Sequence, residues 1–319
     1  YCGYIDDESE RLWPSCFCTI NRRGKGDSLE GYRALKRASD EAAKLKLPVY
    51  LTMNGFYAKE QYPWVIKTIY KASSLPGIKG VIVADIGLLL YLKKAGYKKE
   101  IQISTLTGNL NHYTVDFFAS LGAKRIILDR QLTTAEIKDI LLKQKPGREL
   151  EIFVFDDSCF FIDGYCGFTH YFDNSQQEVK LSKKIHFTHS YCAVKSPRHG
   201  CGEIQALLRS SALRVHNTSS QANPVLPPAY QSNKYSFHCN LCGLFELKGF
   251  NNLTLKIVAR GTDVSRAVKL VSDTAHALDS TNVSRINFCR EVKKLYHKFY
   301  GFKCDGSGCS HFKLMERLS

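Results

Sequence analysis

The stretch DDSCFFIDGYCGF, residues 156–168, carries two thiols, Cys159 and Cys166, with six residues between them, directly after the apolar run LEIFVF. Twelve cysteines occur in the chain, and most of them cluster. Cys159, Cys166, Cys192 and Cys201 lie mid-chain, Cys239 and Cys242 follow, and Cys289, Cys304 and Cys309 lie near the end, while Cys2, Cys16 and Cys18 stand apart. Disulfides staple small secreted domains that lack a core, whereas 319 residues at 44% hydrophobic content need no such staples. Clustered thiols in a reducing compartment point to metal ligation, and soft thiolates select iron–sulfur or zinc over harder ions. The pair Cys304 and Cys309, in CDGSGC, fits a turn that closes a disulfide on oxidation, half of a zinc site with Cys239 and Cys242, or two surface thiols.

A second set of reactive groups recurs where apolar runs end: Asp6, Asp7, Asn54, Asp85, Ser104, Thr105, Asp129, Arg130, Asp156, Asp157, Lys256 and Arg260. Any one of these alone reads as a cap or turn residue. Their shared address gives the set another meaning. Arg130, Lys256 and Arg260 can form a cationic floor for a carboxylate or phosphate, and Asn54 and Ser104 can orient a polar substrate. His170, His186, His189 and His199 lie near the cysteines as bases for a hydrolytic nucleophile, yet no hydrolase signature surrounds them. Histidines beside metal-binding cysteines serve equally as supporting donors.

The elements that must position these groups alternate. LPVYLTMN, KGVIVAD, EIQIST, AKRIILD and ELEIFVF read as strands, and KEQYPWVIKTIYKASSL, IGLLLYLKKAG, HYTVDFFASLG and TTAEIKDILLKQ as the helices between them. Strands apolar throughout belong to a parallel sheet covered on both faces. With YCGYI first, LTLKIVA late and one short strand in the irregular middle, the count approaches the eight of a TIM-type (β/α)8-like barrel. From 156 to 250 the alternation fails, and a long cysteine-rich insertion is expected over the C-terminal face, where barrel loops carry function. The expected organisation is a barrel domain at 1–262 including that insertion, followed at 263–319 by two helices and a cysteine-bearing tail.

Forty-five Lys and Arg against thirty Asp and Glu give +15, which favours anionic substrates or RNA, or leaves a solvated basic surface. No apolar run reaches the roughly 18 residues of a membrane span, and no signal peptide opens the chain, so a cytoplasmic address is expected. The abrupt start, YCGYIDD, reads as a strand already under way and suggests an upstream segment.

The ordered blocks LPVYLTMN, VIVADIGLLLYLKKAG, IQISTLTGNLN, LGAKRIILDRQLTTAEIKDI, LEIFVFDDSCFFIDGYCGF and CNLCGLFELKGFNNLTLKIVARG resemble the collagenase-like peptidase family U, number thirty-two. Several members of that family look like iron–sulfur enzymes that hydroxylate tRNA or ribosomal RNA bases, or quinone precursors, without dioxygen, some with prephenate as oxygen donor. The resemblance implies a 4Fe-4S cluster held by Cys159, Cys166, Cys192 and Cys239, with Cys201 as the alternative third ligand and Cys242 as an extra thiol or alternative fourth. The strand-end residues Asn54, Asp85, Ser104, Arg130, Lys256 and Arg260 form the expected substrate side, and the resemblance implies an anionic prephenate-like co-substrate, RNA as a partner and room for a second subunit of the same family. A collagenase-like peptidase, or a non-catalytic RNA- or partner-binding metalloprotein, are the alternatives. The family's KIEGR stands here as Lys256-Ile257-Val258-Ala259-Arg260, its HGA as Asp156-Asp157-Ser158 and its DPG as Asp85-Ile86-Gly87.

Overall fold

Runs of β-branched and aliphatic residues, separated by short capped helices, fold as parallel strands. The computed structural model describes residues 1–5, 8, 28–155, 162–165, 239–258, 263–279, 284–301 and 303–304. The chain divides into two compact units, one of Tyr1–Asn109, Phe117–Ile127 and Asp163–Glu203, the other of Leu110–Asp116, Leu128–Ile162 and Ile204–Ser319.

The first unit contains β1 (Tyr4–Ile5), β2 (Leu29–Glu30), α1 (Gly31–Lys44), β3 (Val49–Met53), α2 (Tyr62–Ser73), β4 (Ile78–Val83), α3 (Ile86–Lys94), β5 (Glu100–Ile103) and β6 (Arg125–Ile127). Strands β3, β4, β5 and β6 pair in parallel in that order. Just ahead of β1, Cys2 bridges Leu51 of β3: its N–H donates to the Tyr50 carbonyl at 3.0 Å and its carbonyl accepts from the Thr52 N–H at 2.9 Å. The opening segment therefore belongs to a strand, as its sequence suggests, and β2 pairs on its other side.

Alternation gives this sheet two unlike faces. Leu51, Met53, Val81, Val83, Ile101, Ile103 and Ile126 are all buried, and α2 and α3 pack on β4 with Val65, Ile69, Leu88 and Leu92 inward. Tyr50, Thr52, Glu100, Gln102 and Arg125 alternate with them and occupy the opposite face. Tyr50 donates to the Glu100 carboxylate at 2.8 Å across β4. Gly80, paired with both residues, makes room: a Cβ there would lie 2.1 Å from the Glu100 carbonyl oxygen.

The second unit contains α5 (Thr134–Lys143), β7 (Glu149–Phe155), β8 (Leu253–Ile257), α6 (Val264–Asp279) and α7 (Arg285–Tyr300). α4 (His112–Ser120) begins in this unit and ends in the first. β7 and β8 are parallel, with a register irregularity between Phe153 and Phe155. The helices start where side chains satisfy their first N–H groups. Thr133 and Glu136 form a reciprocal capping box on α5, and Ser284 caps α7, which Gly301 ends in a left-handed turn.

The architecture is α/β with parallel strands, compatible with a TIM-like barrel. Of the expected insertion, only 162–165 and 239–250 fall within the described residues. The short strand expected in the irregular middle lies outside the described residues.

Candidate functional site

Three of the four expected cluster ligands, Cys159, Cys166 and Cys192, lie outside the described residues, as do Cys201, Arg260, Cys309 and the four histidines of the middle segment. The described chain nevertheless locates both flanks of the thiol-rich segment. In the first unit Asp163–Tyr165, ending one residue before Cys166, lies against the turn Thr105–Gly108 that follows β5: a Cβ on Gly164 would meet the Gly108 N–H nitrogen at 2.9 Å and the Leu106 carbonyl at 3.0 Å. In the second unit Cys239 forms an antiparallel bridge with Phe155, the last residue of β7, and the Asn240 N–H donates to the Val154 carbonyl at 2.9 Å. Backbone pairing thus holds the half-buried Cys239 at the strand end from which the Cys159 segment departs.

Residues 241–247 continue as a 3₁₀ turn antiparallel to α7: Phe245 packs on Phe288 with ring centroids 5.9 Å apart, and Arg285 pairs with Glu246 at 3.0 Å. At the other end of α7, Tyr296 and Tyr300 pack on the Phe155 ring at 6.4 and 5.6 Å. Cys242 is buried on this turn, and its thiol hydrogen-bonds that of Cys289, also buried. That hydrogen bond, reinforced by Arg285 and Lys293 and opposed by burial and Glu246, lowers Cys289 to about 7. No three His, Cys, Asp or Glu side chains converge among the described residues.

Arg130 and Lys256 come together, as their strand-end addresses suggest. The Arg130 guanidinium lies 4.6 Å from the Phe153 ring centroid and the Lys256 ammonium 5.4 Å from the same ring. Lys256 also has a partner that sequence reading missed: Glu151, fully buried, accepts from its ammonium at 2.7 Å. Burial pushes the Glu151 carboxyl above the usual carboxylate range, and Lys256 partly restores it. The available signal was a glutamate alternating with aromatic residues inside ELEIFVF.

In the first unit Asn54, Asp85 and Ser104 follow β3, β4 and β5. Asp85 is a clamp: one carboxylate oxygen accepts from Tyr62 Oη at 2.8 Å and from the Leu88 N–H at 3.1 Å, the other from the Tyr57 N–H at 3.2 Å. Burial, then the bond to Asp85, raises Tyr62 above the normal phenol range. Ser104 is buried and its hydroxyl accepts from the Leu106 N–H at 3.3 Å, closing the turn after β5. Gln102 and Thr105 flank it with buried polar side-chain atoms that have no hydrogen-bond partner among the described residues.

Comparison with known proteins matches these features to one family. A tRNA hydroxylation protein P of Helicobacter pylori is 34% identical over 152 residues, covering 48% of this chain and 35% of its own length. The tRNA hydroxylation protein P of Haemophilus influenzae is 30% identical over 41% of this chain and 28% of its own, and an uncharacterized protease of Methanocaldococcus jannaschii is 32% identical over 43% and 32%. The matched stretch thus spans about a third of the length of these curated relatives. The family model described as Peptidase family U32 matches residues 17–298, from within the opening segment through α7, and on that match the chain belongs to peptidase family U32.

Proposed function

We propose that the protein acts in oxygen-independent hydroxylation of a tRNA base, as an iron–sulfur enzyme. A 4Fe-4S cluster would be held by Cys159, Cys166, Cys192 and Cys239, and an anionic co-substrate of the prephenate type by Arg130 and Arg260. The observation that carries this reading is the backbone bridge fixing Cys239 at the end of β7, where the Cys159 segment leaves the strand. A half-buried thiol set by main-chain pairing suits a cluster ligand, since its position survives loss of the metal. The tRNA-related names of the relatives support the substrate class.

When bound, a 4Fe-4S cluster supplies redox or Lewis-acid chemistry at iron. The described side chains do the rest. Arg130, held over the Phe153 ring, carries a planar donor fork suited to a carboxylate. The Glu151 carboxylate answers the Lys256 charge, so Lys256, near the same Phe153 ring, adds less than a second full charge there. Asp85, occupied by Tyr62, Tyr57 and Leu88, holds the loop carrying Asn54 in place.

The test is anaerobic purification with iron and sulfide counts and an absorption spectrum, on the wild type and on Cys239→Ser. A brown protein that loses iron in Cys239→Ser is expected. Colourless wild-type protein that cleaves peptides without metal would establish the peptidase reading instead.

A further inference from the structure

Gln102, on the polar face of the first unit, plays no part in the proposed chemistry. In the middle of β5, it is fully buried, and among the described residues neither its amide nitrogen nor its amide oxygen has a hydrogen-bond partner. Buried polar groups in folded proteins almost always find partners, because an unpaired one keeps its desolvation penalty with nothing to offset it. Packing alone would favour an aliphatic residue here, like Ile101 and Ile103 on either side.

The neighbours on this face are engaged elsewhere. The strand register sets Ile82 and Arg125 directly beside Gln102. Glu100, one pleat toward the strand start, accepts from Tyr50, whose ring also receives Arg125 at 5.8 Å. Ser104, one pleat toward the strand end, is turned to the Leu106 N–H. The amide therefore lies about 7 Å below the strand-end level of Ser104, on the same face, with its donor and acceptor uncommitted.

We infer that Gln102 is a specificity-determining residue whose carboxamide reads the donor–acceptor edge of a neutral flat heterocycle, a nucleobase, entering from the strand ends. A carboxamide offers one donor beside one acceptor, the complement of a base edge, and carries no charge with which to select an anion. This separates it from Arg130, whose guanidinium suits the anionic partner. The inference rests on the tRNA reading above.

The experiment measures binding of homopolymeric oligoribonucleotides of adenosine, cytidine and uridine, and of unmodified tRNA, to wild type, Gln102→Met and Gln102→Glu, alongside melting temperatures. Gln102→Met keeps the volume and removes both polar atoms. It is expected to weaken the preferred homopolymer roughly tenfold without lowering the melting temperature. Gln102→Glu, which loses the donor and keeps an acceptor, is expected to change the rank order among the homopolymers. Unchanged preference in the folded variants, or a lowered melting temperature with unchanged preference, would overturn the inference and assign the amide to an ordered internal water. If Gln102→Met does not fold, the rank order in Gln102→Glu decides alone. Wild type that binds tRNA with no base preference refutes the role of Gln102 only, whereas wild type that binds neither tRNA nor any homopolymer refutes the tRNA reading itself.

Discussion

Replacing Lys256 by Met removes the ammonium that pairs with a fully buried carboxylate, Glu151. Glu151 has no exposed side-chain surface and Lys256 about one eighth, 13%, and the ion pair spans 2.7 Å. At an effective dielectric constant of about 20 the bare attraction at that distance is about 6 kcal/mol, most of it offset by desolvation. Deleting one partner of such a pair costs about 3 to 5 kcal/mol, because the other stays buried and uncompensated. For a chain of this size that lowers the melting temperature by roughly 5 to 8 °C. The loss also depends on pH. Burial holds the folded Glu151 carboxyl above its ordinary value of 4.5, so the folded state keeps its proton when the unfolded chain has released it. Stability from this group is greatest below the unfolded value and falls as pH rises through the folded one, and removing Lys256 widens that gap. Lys256→Met is therefore expected to be nearly as stable as wild type at about pH 4.5 and to fall behind toward neutrality, with Glu151→Gln in the same chain recovering most of the deficit. Urea denaturation followed by circular dichroism across that range measures it. A deficit independent of pH, or a double variant no better than Lys256→Met, would refute the account.

Tyr62→Phe removes the phenol from Asp85 and is expected to cost about 1 to 2 kcal/mol in the same denaturation assay, with the other carboxylate bonds retained. Gly80→Ala places a methyl 2.1 Å from a backbone oxygen of β5. It is expected to cost about 2 kcal/mol or more, and Tyr50→Phe added to it should cost little further, because the bridge over β4 is already displaced. Cys289, lowered to about 7 from 9.0, contributes stability present above the unfolded value and lost as pH falls through the folded one, so unfolding free energy should drop between those two values in wild type and stay level in Cys289→Ala.

The strands were legible because a parallel strand buried on both faces leaves a continuous apolar run: ELEIFVF maps onto Glu149–Phe155 residue for residue. Helix starts were legible at Asp85 and Thr133, where the cap and the apolar period coincide. β2 escaped because two residues, Leu29–Glu30, leave no period to detect. At the site, strand-end position sufficed to group Arg130 with Lys256, since both follow from the strand alternation. It could not show that Lys256 already has Glu151, because such pairing is decided by the register between two strands distant in sequence. The same holds for the thiols: that Cys242 meets Cys289 follows from the 241–247 turn running along α7, which spacing does not encode.

The bridge between Phe155 and Cys239 carries a consequence for assembly. β7 is synthesised well before Cys239, and the Tyr296 and Tyr300 rings that pack on Phe155 come from the last described helix. Contacts so far apart in sequence form late, after the loop between them has been closed at an entropic cost. A growing chain on the ribosome therefore displays β7 without its partner thiol until the distal third of the described chain has emerged. Any metal loaded on Cys239 can therefore be taken up only after that residue has emerged, and a chain truncated before α7 would present the thiol on an unsupported strand end.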